Sequence, residues 1–262
     1  MEAICSLAQH QAEIEENRRS WERKPTLRRI YEGFHCQILA WCRQDLGLAT
    51  VEIGSGLGQI KTIIPHCITT DVFSNPWIDR TENAYKLSFP NGGVANLILF
   101  DVWHHLRYPG NALKEFQRVL SAGGRLIIFD PCMSLLGLIV YGLFHHEPVA
   151  LRQPITWFAP NRWDESQADY YAAAGNAWRI FHRGEAQEKF GEWRLLEVQR
   201  QSAFAYVASG GFRSPQLYPS AWLPLVQLFD QALNLLPALF ATRLFVVLEK
   251  VGARGLTAQV PS

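Results

Sequence analysis

Four apolar runs of strand length alternate with polar, helix-like segments in the first half of the chain. They cover residues 50–53, 67–72, 95–101 and 124–130. Their hydrophobicity is continuous rather than alternating, as a parallel sheet covered on both faces requires. Strands that alternate with helices predict a doubly wound α/β sheet. The chain of 262 residues is long enough for one such domain with additions.

The first run leads into a glycine-rich loop, Gly54-Ser55-Gly56-Leu57-Gly58. Glycine at every second position lets the backbone turn sharply and pass close to a bound molecule, because no Cβ intervenes. Ligands of open α/β sheets bind beyond the carboxyl ends of the strands, so we expect a ligand at this loop and a helix behind it. Two acids, Glu52 and Asp71, predict a nucleoside cofactor that carries a positive charge and a ribose.

These residues resemble the motifs of the class I S-adenosylmethionine-dependent methyltransferases, in particular the small-molecule branch called type 11. Glu52 to Gly58 matches the acid-x-Gly-x-Gly-x-Gly motif, and Asp71 matches the acid that ends the second strand. Two further blocks, 87–106 and 116–131, are similar to later motifs of the family. The resemblance implies a Rossmann-like, mostly parallel sheet of seven strands that ends in an antiparallel pair.

The resemblance also implies S-adenosylmethionine as the cofactor, with S-adenosylhomocysteine as the product. It places Gly54, Ser55, Gly56 and Gly58 on the methionine side with Glu52 nearby, Asp71 on the ribose hydroxyls, and Asn83 and Ala84 beside adenine. Beyond the resemblance, we expect Val72 or Trp77 to pack on adenine and Asp101 to bond the cofactor or its loop. Asn83 stands where the family often has an aspartate. A nicotinamide-dependent oxidoreductase is the competing interpretation, but its G-x-G-x-x-G spacing differs from the spacing here.

Histidines supply the candidate catalytic bases. Methyl transfer from a sulfonium is an in-line displacement, so the protein aligns the acceptor and, for a hydroxyl acceptor, removes a proton. His105, just past the fourth strand, and His146, in the run His145-His146-Glu147, are the predicted bases, although both also have a structural interpretation. No metal is predicted, because adjacent histidines are expected to point apart and no third spaced ligand is evident.

Five regions are expected along the chain. They are an N-terminal helical cap over the cofactor (1–48), the cofactor-binding half of the core (49–131), a helical insertion that forms an acceptor lid (132–192), C-terminal strands with inserted helices (193–251) and a tail (252–262). Helices are predicted over 5–47 with Pro25 opening the second, over 111–120 and over 220–241, and late strands over 193–200 and 244–249.

The apolar lid run, residues 133–144, predicts a small acceptor of apolar or aromatic, natural-product-like character. Oxygen is the favoured acceptor atom, and nitrogen is nearly as well supported because an amine needs little help from a base. A lipid- or sugar-linked acceptor with peripheral membrane contact is a weaker alternative, and no stretch reaches the roughly 18 apolar residues of a spanning helix. A non-catalytic, methyltransferase-like binding protein is the alternative from another class.

Charge and cysteine content narrow the partners and the compartment. With 25 basic and 24 acidic residues, nothing indicates nucleic acid as a partner. Five cysteines without paired spacing are typical of reduced thiols, and the N-terminal segment lacks the pattern of a signal peptide. We therefore expect a cytoplasmic protein, either a monomer or a homodimer.

Overall fold

The fold is that of a computed structural model, which describes residues 7–165 and 171–252. Seven strands form one sheet in the order β3-β2-β1-β4-β5-β7-β6. The strands are β1 (Ala49–Ile53), β2 (Ile68–Asp71), β3 (Arg80–Thr81), β4 (Val94–Phe100), β5 (Leu120–Pro131), β6 (Trp193–Gln201) and β7 (Arg243–Lys250). Strands β1 to β5 are parallel to one another, whereas β7 is antiparallel to β5 and β6. The predicted α/β sheet and its final antiparallel pair are confirmed.

Seven α-helices are described. They are α1 (Leu7–Arg23), α2 (Pro25–Trp41), α3 (Pro109–Val119), α4 (Leu135–Leu143), α5 (Phe204–Ala208), α6 (Leu223–Leu233) and α7 (Pro237–Phe240). Pro25 opens α2 as predicted. The expectation of a single helix over 220–241 is wrong. Leu236, which precedes Pro237, has non-helical backbone angles (φ −127, ψ 61) and separates α6 from α7. Of the predicted tail, residues 253–262 lie outside the described residues.

The connection between β1 and β2 contains no α-helix. Only a turn of 3-10 helix, Gln59–Thr62, follows the glycine loop, so the expected helix behind the loop is wrong. Nine residues separate Gly58 from β2 and Pro65 is among them, which leaves no room for a helix that could cross the sheet.

The N-terminal helix α2 covers the sheet face that this short connection leaves open. Leu27, Tyr31 and Ile38 pack with Phe100 and Phe129 of the sheet. The opposite face is covered by α3, with Leu113 and Phe116 among its buried residues. The sheet is therefore covered on both faces, as the continuous hydrophobicity of its strands requires.

The segment after β5 is helical only at its beginning. Ser134 caps α4 by accepting a hydrogen bond from the backbone N–H of Gly137 at 3.0 Å. Residues 144–165 and 171–175 are irregular, and a π-helical turn follows at Trp178–His182. Backbone hydrogen bonds from Ala173 to the carbonyl of His104 and from Ala174 to the carbonyl of Pro148 fix the returning chain. These bonds hold Glu147 against the end of β4.

Apolar side chains remain exposed on the helices that follow β5 and β6. Leu143 and Phe144 at the end of α4 are 75% and 81% exposed, and Leu225 and Leu228 of α6 are similarly open. Within 7–165 and 171–252, none of the helices combines the length and the apolar character needed to cross a membrane. Much of the apolar content of this region therefore lies on the surface rather than in the core.

Replacing Leu27 by Ala tests the role of α2. Leu27 is fully buried against the sheet face, so we expect the free energy of unfolding to fall by about 2–5 kcal/mol. Leu225→Ala, at an exposed position, is the matched control and should change stability by less than about 0.5 kcal/mol. Urea denaturation of both variants is the measurement, and equal midpoints would show that α2 is dispensable for the core.

Candidate functional site

The glycine loop adopts a backbone that side chains with a Cβ would not tolerate. Gly54 has φ +70, and a Cβ there would lie 2.5 Å from Cγ2 of Val102, just after β4. Gly58 has φ +64, and a Cβ there would lie 2.7 Å from the carbonyl oxygen of Trp77. The loop is thus pressed against the end of β4 on one side and the chain after β2 on the other.

Ser55 and Asp71 tie this loop to the end of β2. The N–H of Ser55 donates to the carbonyl of Thr70 at 2.7 Å, and its hydroxyl accepts from the N–H of Thr70 at 3.1 Å. The buried carboxylate of Asp71 accepts from the N–H of Gly56 at 3.0 Å. The two predicted ligand-binding segments therefore form one hydrogen-bonded unit.

A cavity of about 400 Å³ opens beside this unit. Of the predicted site residues, its walls include Gly54, Gly56, Asp71, Val72, Asn83, Ala84, Asp101, His105 and His146. Helix α1 contributes Glu13, Ile14 and Asn17, which the sequence patterns did not single out. Glu82, buried and bonded to Ser88, is a further wall residue that was missed. Gly58 is absent from the walls and serves the close packing on Trp77.

Asn83 already makes two hydrogen bonds within the protein. Its side-chain oxygen accepts from the N–H of Tyr85 at 2.9 Å, and its amide nitrogen donates to the carbonyl of Glu165 at 2.5 Å. The amide oxygen retains a second acceptor site for a ligand. Asn83 therefore holds the cavity wall together as well as facing the cavity.

Glu52 lies at the end of β1 and is buried. Burial raises the pKa of its carboxyl group to about 8, and the nearby charge of Asp71 adds to the increase. Glu52 is therefore mostly protonated at neutral pH. A cation placed beside it would favour the ionised form.

A second cavity of about 580 Å³ lies on the other side of the glycine loop. Glu52 and Ser55 line it, together with the aromatic residues Tyr31, Phe100, Tyr141, Phe144, Tyr206 and Phe212. Both cavities include Gly54, Gly56, Asp101, His105, His146 and Glu147 among their walls. The cavities therefore meet at the carboxyl ends of β1 and β4.

Asp101 is fixed at this junction by a buried arginine. Its φ of 55 is in the left-handed region, and its carboxylate pairs with the guanidinium of Arg243, which is 2% exposed. The guanidinium also lies 4.7 Å from the ring centre of Tyr206. The ion pair with Asp101 and the contact with the Tyr206 ring offset the free-energy cost of burying the charge of Arg243.

His104 lies between two carboxylates. Its Nδ1 is 3.0 Å from Asp130 Oδ1, and its Nε2 is 3.1 Å from Glu147 Oε2. All three side chains are buried. Burial opposes the protonation of His104, but the two carboxylates outweigh it and raise the pKa of His104 well above its usual value.

His105 is in a different electrostatic state from its neighbour. Its Nδ1 lies 2.8 Å from the carbonyl oxygen of Tyr171, which can only accept, so Nδ1 carries the proton in the neutral ring. Its Nε2 then offers a lone pair, 3.5 Å from Glu147 Oε1. Burial, reinforced by the charge of His104, lowers the pKa of His105 to about 4. His105 is therefore neutral at physiological pH.

The expectation that adjacent histidines point apart is wrong for both pairs. The ring centres of His104 and His105 are 4.1 Å apart, and those of His145 and His146 are stacked at 4.9 Å. Nδ1 of His145 and Nε2 of His146 lie 3.7 and 3.8 Å from the carboxylate of Glu147. Glu147, which was not singled out as a site residue, is thus the centre of a cluster of four imidazoles.

His146 presents its lone pair to Arg213. The guanidinium Nη1 lies 2.8 Å from His146 Nδ1, and because arginine only donates, Nδ1 accepts in this contact. The two predicted bases therefore differ, since the acceptor nitrogen of His146 is engaged by Arg213 whereas that of His105 faces the cavity junction.

Residues 51–128 match the family model of the methyltransferase domain. No curated protein matches the chain in sequence. The fold is similar to a crystal structure of a S-adenosylmethionine-dependent methyltransferase from Thermotoga maritima, a possible histamine N-methyltransferase. The TM-score is 0.51 and the identity 14%, and the match covers 91% of this chain and 99% of that chain. A crystal structure of a S-adenosylmethionine-dependent methyltransferase from Archaeoglobus fulgidus matches with TM-score 0.48 and 12% identity. That match covers 85% of this chain and 94% of the other.

The family match covers β1 from Val51, β2, β3, β4, the glycine loop and most of β5, and includes the wall residues of the first cavity from Ile53 to Tyr108. Together with the sheet order, it defines a methyltransferase domain. The match and the fold support a S-adenosylmethionine-dependent methyltransferase, an enzyme with S-adenosylmethionine as its cofactor.

The raised pKa of Glu52 gives a test of the local electrostatics. Between the ordinary pKa of about 4.5 and the folded value of about 8, the native protein holds a proton that the unfolded chain has lost. The free energy of unfolding should therefore fall as pH rises through this window, by at most about 1.4 kcal/mol per pH unit from this group.

The variant Glu52→Gln removes that proton while keeping the shape of the side chain. We expect its stability relative to the wild type to increase steadily from pH 5 to pH 8 in denaturant titrations. A stability difference that is independent of pH would show that Glu52 titrates normally in the folded protein.

Proposed function

We propose that the enzyme transfers a methyl group from S-adenosylmethionine to a hydroxyl oxygen of a small, apolar or aromatic acceptor bound in the second cavity. The observation that carries this proposal is the junction of the two cavities at Gly54, Gly56, Asp101 and His105. A cofactor in the first cavity and an acceptor in the second would approach each other there.

The first cavity fits the cofactor in size and chemistry. Its volume of about 400 Å³ lies within the usual range for small-molecule sites. In this proposal Asp71 accepts hydrogen bonds from the ribose hydroxyls, and Gly54 and Gly56 face the methionine part where the two cavities meet. Glu52 and Ser55 approach the methionine part from the wall of the second cavity, and Val72, Asn83, Ala84 and Asp101 complete the site. Gly58 supports the loop from behind. When bound, S-adenosylmethionine supplies a methyl group that is already activated for transfer.

The second cavity supports an acceptor with apolar surface. Aromatic rings form much of its wall, and Phe144 and Leu217, which line it, are 81% and 76% exposed to solvent. Burial of apolar acceptor surface against these rings would supply most of the binding free energy. The same exposed residues support a lipid-linked acceptor as the second candidate.

His105 is the favoured base for a hydroxyl acceptor. The carbonyl of Tyr171 fixes the proton of the neutral ring on Nδ1, so Nε2 is its basic nitrogen, and His105 lines both cavities. The hydroxyl proton would move to Nε2 of His105, with the carboxylate of Glu147 at 3.5 Å stabilising the resulting positive charge. An amine acceptor would need little of this arrangement, so the cluster favours oxygen over nitrogen. The free thiols of the four described cysteines support the cytoplasm as the compartment.

Replacing Asp71 by Ala tests the cofactor site. The loss of a buried acceptor for the ribose hydroxyls should weaken binding by about 1–3 kcal/mol, or roughly 5- to 150-fold in Kd. Isothermal titration with S-adenosylhomocysteine is the measurement. Asp45→Ala, at an exposed aspartate paired with Arg43, should leave the Kd unchanged. An unaltered Kd for Asp71→Ala would remove Asp71 from the site.

Replacing His105 by Ala tests the base. The acceptor is first found by incubating the enzyme with S-adenosylmethionine and panels of phenols, aliphatic alcohols and amines, with mass spectrometry of the products. For a hydroxyl acceptor we expect kcat to fall by about 10²- to 10⁴-fold, with the Kd of S-adenosylhomocysteine unchanged.

His66→Ala is the matched control, because His66 is exposed and distant from both cavity walls. His146→Ala should lower kcat less than His105→Ala. Methyl transfer at full rate in both the His105 and the His146 variants would mean that the protein aligns the acceptor without a histidine base.

A further inference from the structure

We propose that His104, His105 and Glu147 bind a divalent transition-metal cation at the junction of the two cavities. The inference rests on the proposed function in one respect, because the cation would meet the acceptor oxygen there. The binding site itself is argued from the geometry of these three side chains and of the groups behind them.

The ligand atoms converge within a small volume. One nitrogen or oxygen from each of the three residues lies within 4.8 Å of the others. The distances from Glu147 Oε2 to His104 Nε2 and from Oε1 to His105 Nε2 are 3.1 and 3.5 Å. A tetrahedral cation at about 2.0–2.1 Å from its ligands holds them about 3.3 Å apart. Each imidazole is therefore already at about the required spacing from one oxygen of Glu147.

The groups behind the two imidazoles direct both Nε2 atoms toward the same point. The carboxylate of Asp130 faces Nδ1 of His104, and the carbonyl of Tyr171 faces Nδ1 of His105. Both groups accept a hydrogen bond from a protonated Nδ1. Nε2 therefore carries the lone pair when the rings are neutral. Metal-bound histidines in proteins are oriented by this arrangement, in which the far nitrogen donates to a carboxylate or a carbonyl.

The charge of the cluster also favours a cation. Asp130 and Glu147 bring two carboxylates into a buried region around His104. Among the residues that the structure describes, Oδ2 of Asp130 accepts no hydrogen bond. An imidazolium at His104 would supply a single positive charge, whereas a divalent cation would match both carboxylates.

Two imidazoles and one carboxylate are ligands of zinc and of related transition metals. His105 is half-buried and, with Glu147, lines both cavities, so a coordination position faces the space assigned to the acceptor. A hydroxyl bound to a cation there would lose its proton more readily than in water. Nε2 of His105 would then act as a ligand, and the hydroxyl proton would pass to solvent water in the second cavity, which the exposed His145 also lines.

The experiment uses the full chain without a polyhistidine tag, treated with a chelator and then titrated with Co²⁺ and Zn²⁺. We expect one equivalent of Co²⁺ to bind with micromolar or tighter affinity and to give the visible absorption of a four- or five-coordinate site, with Zn²⁺ displacing it. Metal content after gel filtration, measured by mass spectrometry, gives the stoichiometry independently.

Variants locate the cation. Glu147→Gln and His105→Ala should each weaken Co²⁺ binding by more than about 100-fold, and Asp130→Asn, behind His104, by about 10- to 100-fold. His66→Ala, an exposed histidine outside the cluster, should bind Co²⁺ as the wild type does. Circular dichroism and thermal unfolding establish that each variant is folded. If Glu147→Gln does not fold, the Co²⁺ titrations of His105→Ala and of the wild type still test the proposal.

Two results would overturn the proposal. One is the absence of stoichiometric cation binding to the wild type, in which case His104 is held as an imidazolium between Asp130 and Glu147. The other is binding that is unaffected in Glu147→Gln and His105→Ala. Titration of the same samples with S-adenosylhomocysteine separates this inference from the proposed function, because cation binding without cofactor binding would refute only the latter.

Discussion

Gly54 passes so close to Val102 that a single added carbon would lie 2.5 Å from the valine side chain. This close approach brings the ends of β1 and β4 together, and nearly every functional feature depends on it. The first cavity opens on the β2 side of the contact and the second on the β5 side, where Arg243 and the histidine cluster lie. A bulkier loop would push β1 and β4 apart at the point where the two cavities meet.

In a doubly wound sheet, a helix between β1 and β2 usually covers part of one face. Here a segment from elsewhere in the chain covers that part of the sheet. With only a 3-10 turn between β1 and β2, the face over Phe100 and Phe129 is covered by α2. Helix α1, which precedes it, reaches the rim of the first cavity through Ile14 and Asn17. The N-terminal segment therefore contributes both to the core and to the wall of the proposed cofactor site.

Charge is concentrated where the two cavities meet. Arg243 neutralises Asp101, and the imidazoles of four histidines surround Glu147. Of these groups Arg243, His104 and Glu147 are buried, which is costly unless each has a partner, so their burial at one point indicates a function beyond stability. The opposite pKa shifts of the neighbouring His104 and His105 follow from this geometry. Two carboxylates raise the pKa of His104, whereas burial and the charge of His104 lower the pKa of His105.

The sequence by itself determined the α/β class, the strands that carry the glycine loop and Asp71, and the use of S-adenosylmethionine. These depend on local requirements, namely continuous apolar runs, glycines at positive φ and acids at strand ends. Tertiary structure alone decided that α2 covers a sheet face, that Asn83 is bonded to Tyr85 and Glu165, and that Glu147 sits between His104 and His105. The reason is physical: backbone hydrogen bonds from Ala173 to His104 and from Ala174 to Pro148 hold Glu147 and Tyr171 at the end of β4, and no periodicity in the sequence encodes these long-range contacts.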